Sequence, residues 1–83
     1  MEIKVLGPGC SRCHALFDQT SKAVAASGVE GVTLVKVERI SDITAHGVMM
    51  TPALVIDGKV VSQGQVPEAR QIVTWITNAA ATG

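Results

Sequence analysis

Cys10 and Cys13 stand three residues apart with Ser11 and Arg12 between them, where an apolar run gives way to a helical pattern. They are the chain's two cysteines. A cysteine at a helix N-terminus faces unpaired backbone N–H groups and the positive end of the helix dipole, and both favour thiolate over thiol. The thiolate is the nucleophile in disulfide exchange, so this placement suits that chemistry. A second thiol three positions on lies on a neighbouring face of the same turn, close enough to complete a disulfide. Such a bridge closes too short a loop to stabilise a fold much, which argues for a redox rather than a structural pair. Arg12 falls in the first helical turn, and a positive charge beside a thiolate favours the ionised form. His14 follows, four residues after Cys10, and with Arg12 is a candidate to tune the thiolate.

Two other chemistries fit the same residues. Cys10, Cys13 and His14 could present soft ligands to Cu(I) or Zn(II), as a metal-binding or metallochaperone module would. Cys-x-x-Cys-His is also the attachment signature for c-type haem, with His14 on the iron and Met49, Met50 or His46 on the far side. Against haem stand the Asp57-Gly58 hairpin signal and the order of elements. Against a metallochaperone stands a chain that closes on a helix, because such domains of similar size run βαββαβ and end on a strand.

Strands and helices alternate around the pair. Glu2–Leu6 is a strand, ended by Gly7-Pro8-Gly9. A helix runs from about Ser11 to Ser27 with Gly28 as its stop. Its apolar stripe is Cys13, Phe17, Thr20 and Val24, supported by Leu16 and Ala23, at the spacing of an amphipathic helix. Cys13 therefore continues the buried seam, while Cys10 precedes the helix and is the more exposed. Val32–Val37 is a second strand, and Ser41 is expected to cap a short helix over Asp42–His46 that stops at Gly47. Thr51-Pro52 breaks the chain before Ala53–Ile56, apolar throughout and so a central strand. Asp57-Gly58 turns the chain into Lys59–Ser62. After Gln63-Gly64-Gln65, Pro67 suits the first position of a last helix. That helix carries Ala69, Ile72, Val73 and Ile76 on one face, then dissolves into Ala-Ala-Ala-Thr-Gly. Met49 and Met50 read as irregular core packing and Trp75 as a partly buried packing residue.

The order is βαβαββα, an α/β four-stranded mixed sheet with helices on both faces. Eighty-three residues make one domain, 1–83, which buries about 60% of its unfolded surface. Seven basic and seven acidic residues cancel, and Phe17 and Trp75 are the only aromatics, which excludes a nucleic-acid footprint. Apolar runs such as Ala53-Leu54-Val55-Ile56 are too short to span a membrane. Met1 leads almost at once into strand-like residues, leaving no room for a signal peptide, so the expected location is cytoplasmic. There a close cysteine pair is redox-active or metal-binding rather than structural.

Taken together, the chain resembles the small thioredoxin-like redox-active disulfide proteins, glutaredoxin-sized members of the thioredoxin/glutaredoxin superfamily. The matching residues are the strand into Gly7-Pro8-Gly9-Cys10-Ser11-Arg12-Cys13, then Thr51-Pro52-Ala53-Leu54-Val55-Ile56-Asp57-Gly58-Lys59-Val60-Val61, then Gly64 and Val66-Pro67. The resemblance implies a thioredoxin-like fold and thiol–disulfide oxidoreductase activity, a part in electron transfer and cell redox homeostasis. It implies that Cys10 attacks, that Cys13 resolves, and that the two form the Cys10–Cys13 disulfide. It also implies that Thr51-Pro52 is a cis bond facing the dithiol and binding substrate, with the Thr51 backbone pairing an extended segment as an added strand. The implied partners are a protein disulfide and an electron donor, either a reductase or a small thiol. No organic cofactor, nucleic acid or membrane is expected, and the chain is expected to act as a monomer. Three stretches depart from the relatives' patterns. Ser-Arg replaces the Gly-Pro of thioredoxin or the Pro-Tyr of glutaredoxins, and Lys4 stands where thioredoxin has a buried acid. Gln63-Gly64-Gln65 supplies one glycine and no acid where glutaredoxins hold glutathione.

Overall fold

The computed structural model describes residues 1–82. Seven elements follow one another: β1 (Glu2–Leu6), α1 (Ser11–Ser27), β2 (Thr33–Val37), α2 (Ile40–Ala45), β3 (Ala53–Ile56), β4 (Lys59–Gln63) and α3 (Ala69–Thr82). The strands form one sheet in the order β2-β1-β3-β4, with β1 parallel to β2 and the other two pairings antiparallel. A parallel pair needs a long crossover, and α1 supplies it; an antiparallel pair needs only a tight turn. That turn is Asp57-Gly58, with φ of 48° and 82°. Both residues are left-handed, as the two-residue hairpin that matches strand twist requires.

The period of two along each strand divides its side chains between the two faces of the sheet. Ile3, Val5, Leu54 and Ile56 pack with Leu16 and Ala23 of α1 and with Ile72 and Ile76 of α3. Leu6, Ala53 and Val55 pack on the other side with Ile43 of α2 and with Val48. β3 is buried at all four positions because both faces are covered, whereas the edge strands β2 and β4 are only half-buried. Thr20, in the apolar stripe of α1, is fully buried and donates its hydroxyl to the Leu16 carbonyl at 2.7 Å. That bond removes the penalty of a hydroxyl in the core.

Several boundaries differ from those read in the sequence. β2 begins at Thr33 rather than Val32, and β4 runs one residue further, to Gln63. α2 starts at Ile40 with Arg39 at its N-cap and no side-chain cap bond, so Ser41 lies inside the helix. Two residues separate it from β2, so the chain turns into the helix before Ser41 is reached. Pro67 is not the first residue of α3; the Glu68 carbonyl accepts the first helical bonds from Gln71 and Ile72. The Ala69 N–H is instead capped from α1 by Gln19 Oε1 at 2.9 Å. The alanines at 79–81 continue the helix rather than end it, as the best helix formers do. Met49 and Met50 are 93% and 61% exposed, not core residues, because they lie on the loop that precedes Thr51. Trp75 is half-buried against the α1/α3 core.

Candidate active site

The dithiol sits where β1 hands over to α1. Gly7 continues the parallel pairing by donating its N–H to the Val37 carbonyl at 2.9 Å. A β-carbon at Gly7 would overlap Cys13 Sγ and lie 3.0 Å from Cys13 Cβ, so here glycine is required by space rather than by backbone angle. Gly9 has φ of 94° and redirects the chain into Cys10, the N-cap of α1, whose backbone is extended (φ −71°, ψ 167°). Cys10 Sγ takes the place of the usual capping oxygen, accepting from the Cys13 N–H at 3.3 Å.

The two sulfurs are 2.6 Å apart, and they occupy unlike surroundings. Cys10 is exposed and Cys13 is 6% exposed. Hydrogen bonds from the Cys13 thiol and the Cys13 N–H hold the Cys10 pKa below that of a free cysteine. Burial pushes the Cys13 thiol up, and its bond to Cys10 pushes it in the same direction. The exposed sulfur is therefore the more readily ionised, and the buried one holds its proton more tightly.

Around the pair, the remaining candidates divide. The Thr51–Pro52 peptide is cis, Pro52 is buried and Thr51 is half-buried. The Pro52 Cα is 3.9 Å from where a Gly7 β-carbon would stand, which puts the proline beside the Cys13 side of the dithiol. The Pro52 carbonyl accepts from the Gly64 N–H at 2.8 Å. The Arg12 guanidinium donates from Nη2 to the Gly64 carbonyl at 2.7 Å. What Arg12 gives the Cys10 sulfur is its backbone N–H. His14 is exposed on α1. Together with Gly7, Cys13, Lys36 and Glu38 it lines a slot of about 10 Å³.

Lys4, at the position of the relatives' buried acid, lies on the α2 side of the sheet, away from Cys13. Its Nζ is 3.4 Å from His46 Nε2 and 3.5 Å from Glu2. The His46 ring donates from Nδ1 to the Asp42 carbonyl at 2.8 Å, which leaves Nε2 to accept from the Lys4 ammonium. His46 is thus engaged far from the thiols. Among the described residues, no three His, Cys, Asp or Glu side chains gather to hold a metal ion. No described helix is long and apolar enough to cross a membrane.

Three residues of the site escaped the reading of the sequence. Gly7 and Gly64 carried a signal as turn glycines, but not the information of what lies against them. Glu38 reaches the slot because positions 34, 36 and 38 alternate onto the α1 face, as the pairing of Ile3 with Leu34 and Val5 with Lys36 shows.

The model of the thioredoxin domain matches residues 1–77. The thioredoxin of Methanocaldococcus jannaschii is 31% identical over 70 residues, covering 84% of this chain and 79% of that protein. The thioredoxin of Methanothermobacter thermautotrophicus is 28% identical over 72 residues, covering 87% of this chain and 92% of that one. An α/β sheet in the order expected, a helix N-terminus that holds two adjoining thiols, and these matches agree: the chain belongs to the thioredoxin family.

Proposed function

We propose that the protein is a cytoplasmic thiol–disulfide oxidoreductase that reduces protein disulfides through Cys10 and Cys13. The observation that carries this reading is the contrast between the two sulfurs, one exposed with its pKa lowered and one buried with its pKa raised. Cys10 Sγ attacks a substrate sulfur, a new S–S bond forms, and the first substrate sulfur leaves as a thiolate and takes a proton from water. Cys13 then gives up its proton and attacks Cys10 Sγ, releasing the second substrate thiolate. The products are a reduced substrate and a Cys10–Cys13 disulfide, two electrons having passed from enzyme to substrate. Glu38, His14 and Lys36 are the titratable side chains that share the slot with Cys13. Thr51 offers its backbone to an extended substrate segment, and Pro52 shapes the groove beside the thiols. A reductase or a small thiol returns the electrons, and the chain works as a monomer without an organic cofactor.

Substitution separates the two roles. Cys13→Ser accumulates a mixed disulfide with substrate, seen by mass spectrometry, and Cys10→Ser does not; full dithiol-linked reductase activity in both variants would overturn the mechanism. A redox titration of the wild type, with a metal assay on the same sample, tests the reading against soft-metal binding by Cys10, Cys13 and His14. A reversible Cys10–Cys13 couple supports exchange, whereas tight metal binding without such a couple favours the metal site.

A further inference from the structure

We propose that Arg12 is a positioning residue: its guanidinium clasps the Gly64 carbonyl and so fixes the spacing between the Cys10 turn and the Thr51-Pro52 segment, which selects for extended protein disulfides over small ones. The proposal rests on the thiol–disulfide reading above and adds a determinant of substrate class to it.

The contact joins parts of the chain 52 residues apart. Arg12 lies between the two cysteines in the first turn of α1, and its Nη2 donates to the Gly64 carbonyl at 2.7 Å. Gly64 donates its own N–H to the Pro52 carbonyl at 2.8 Å. The dithiol turn, Arg12, Gly64 and Pro52 therefore form one continuous chain of hydrogen bonds. The left-handed backbone of Gly64, with φ of 69°, sets the two peptide groups on either side of its Cα for these two bonds. A β-carbon there would come within 2.9 Å of Met50 Cε, so the loop before Thr51 also closes directly against this glycine. The Met49 N–H, bonded to Gln63 Oε1 at 3.1 Å, ties the same loop to the end of β4.

An exchange reaction with a protein substrate needs two things held at once: a sulfur in line with Cys10, and a peptide segment along Thr51. A small disulfide needs only the first. The clasp governs the distance between these two requirements and leaves the thiol itself alone. In keeping with that, the causes of the lowered Cys10 pKa are its bonds to Cys13, and Arg12 enters through its backbone N–H. The planar guanidinium suits the task because it is a strong, charge-assisted donor.

The test compares Arg12→Ala and Arg12→Lys with the wild type on two substrates, insulin and bis(2-hydroxyethyl) disulfide, with two readouts beside activity. In Arg12→Ala, kcat/KM for insulin falls about tenfold, chiefly through KM, the size expected when one charge-assisted hydrogen bond is lost. For the small disulfide the fall stays within about twofold, below half the free-energy cost of the insulin effect. The Gly64 amide exchanges with solvent about tenfold faster, since the loop it anchors has lost one of its ties. The pH midpoint of Cys10 alkylation stays where it is in the wild type. Arg12→Lys recovers part of the insulin activity. Equal losses on both substrates with a raised alkylation midpoint would make Arg12 a charge acting on the thiolate, and unchanged Gly64 exchange would abolish the clasp. If the wild type reduces neither disulfide, the oxidoreductase reading fails, while the Gly64 exchange still decides whether the clasp exists.

Discussion

The side of the sheet under α1 and α3 and the side under α2 are built to different depths, and the site draws one half from each. On the first side, long helices of 17 and 14 residues bring Leu16, Ala23, Ile72 and Ile76, all fully buried, onto Ile3, Val5, Leu54 and Ile56. On the second, a six-residue helix contributes Ile43, while Ile40 stays 65% exposed. Cys13 belongs to the deep side, in the same stripe as Leu16 and Thr20. The chain from α2 to Pro52 runs off the shallow side, past exposed Met49 and Met50. Reactive sulfurs need a fixed geometry, and dense packing supplies it. In the proposed reading the Thr51-Pro52 segment receives peptides of different sequence, and sparse packing leaves room for that.

Paired core truncations are the strongest challenge to this contrast. Leu16→Ala should cost about 4 kcal/mol and Ile43→Ala about 2 kcal/mol in denaturant melts, because the site under two helices has the less room to collapse. Equal costs would remove the distinction. Both are large against a total stability of about 5–15 kcal/mol. A smaller effect is expected from Gly7→Ala, which crowds Cys13 directly and should cost about 2 kcal/mol by overpacking. Its signature is chemical as well: Cys13 is displaced, so bridge closure slows and mixed disulfides with Cys10 persist longer after a single turnover, as followed by mass spectrometry. A stable variant that closes its bridge at the wild-type rate would show that the packing against Gly7 does not position the thiol. The most delicate test is the pH dependence of alkylation. Because the Cys10 pKa is lowered, its thiolate is populated at a lower pH than in the unfolded chain, and the labelling rate rises through a midpoint below that of a free cysteine. Cys13, raised by burial, labels only at higher pH. Coinciding midpoints would dissolve the division between the two halves of the site.

Most of the architecture was legible because it follows from period and punctuation. The alternation in β1, the stripe of α1 and the Asp57-Gly58 turn are local signals, and the seven elements follow from them in order. The unlike exposure of Cys10 and Cys13 was legible for the same reason, since one precedes the stripe and the other continues it. What escaped depends on residues far apart in the chain. Ser41 is a good cap by type, but the short link from β2 decides where the helix begins. Pro67 suits a first helical position, yet Gln19 of α1 sets the start of α3 from outside that helix. Arg12 beside a thiolate suggests electrostatic tuning, and only the position of Gly64 shows where its charge is directed. Met49 and Met50 look like core by hydropathy, and a loop carries them outward.

The hydrogen bond from Ala69 to Gln19 has an implication for how the molecule comes apart. It pins the root of the terminal helix to the middle of the helix that starts at the dithiol, and the stretch from Gly64 to Glu68 is thereby moored at both ends. Loosening of α3 from its far end can travel inward only until it meets this fastening. Beyond that point, losing the last helix also strips the backing from Leu16 and its neighbours, so the dithiol turn and the distant α3 are expected to melt in a single transition.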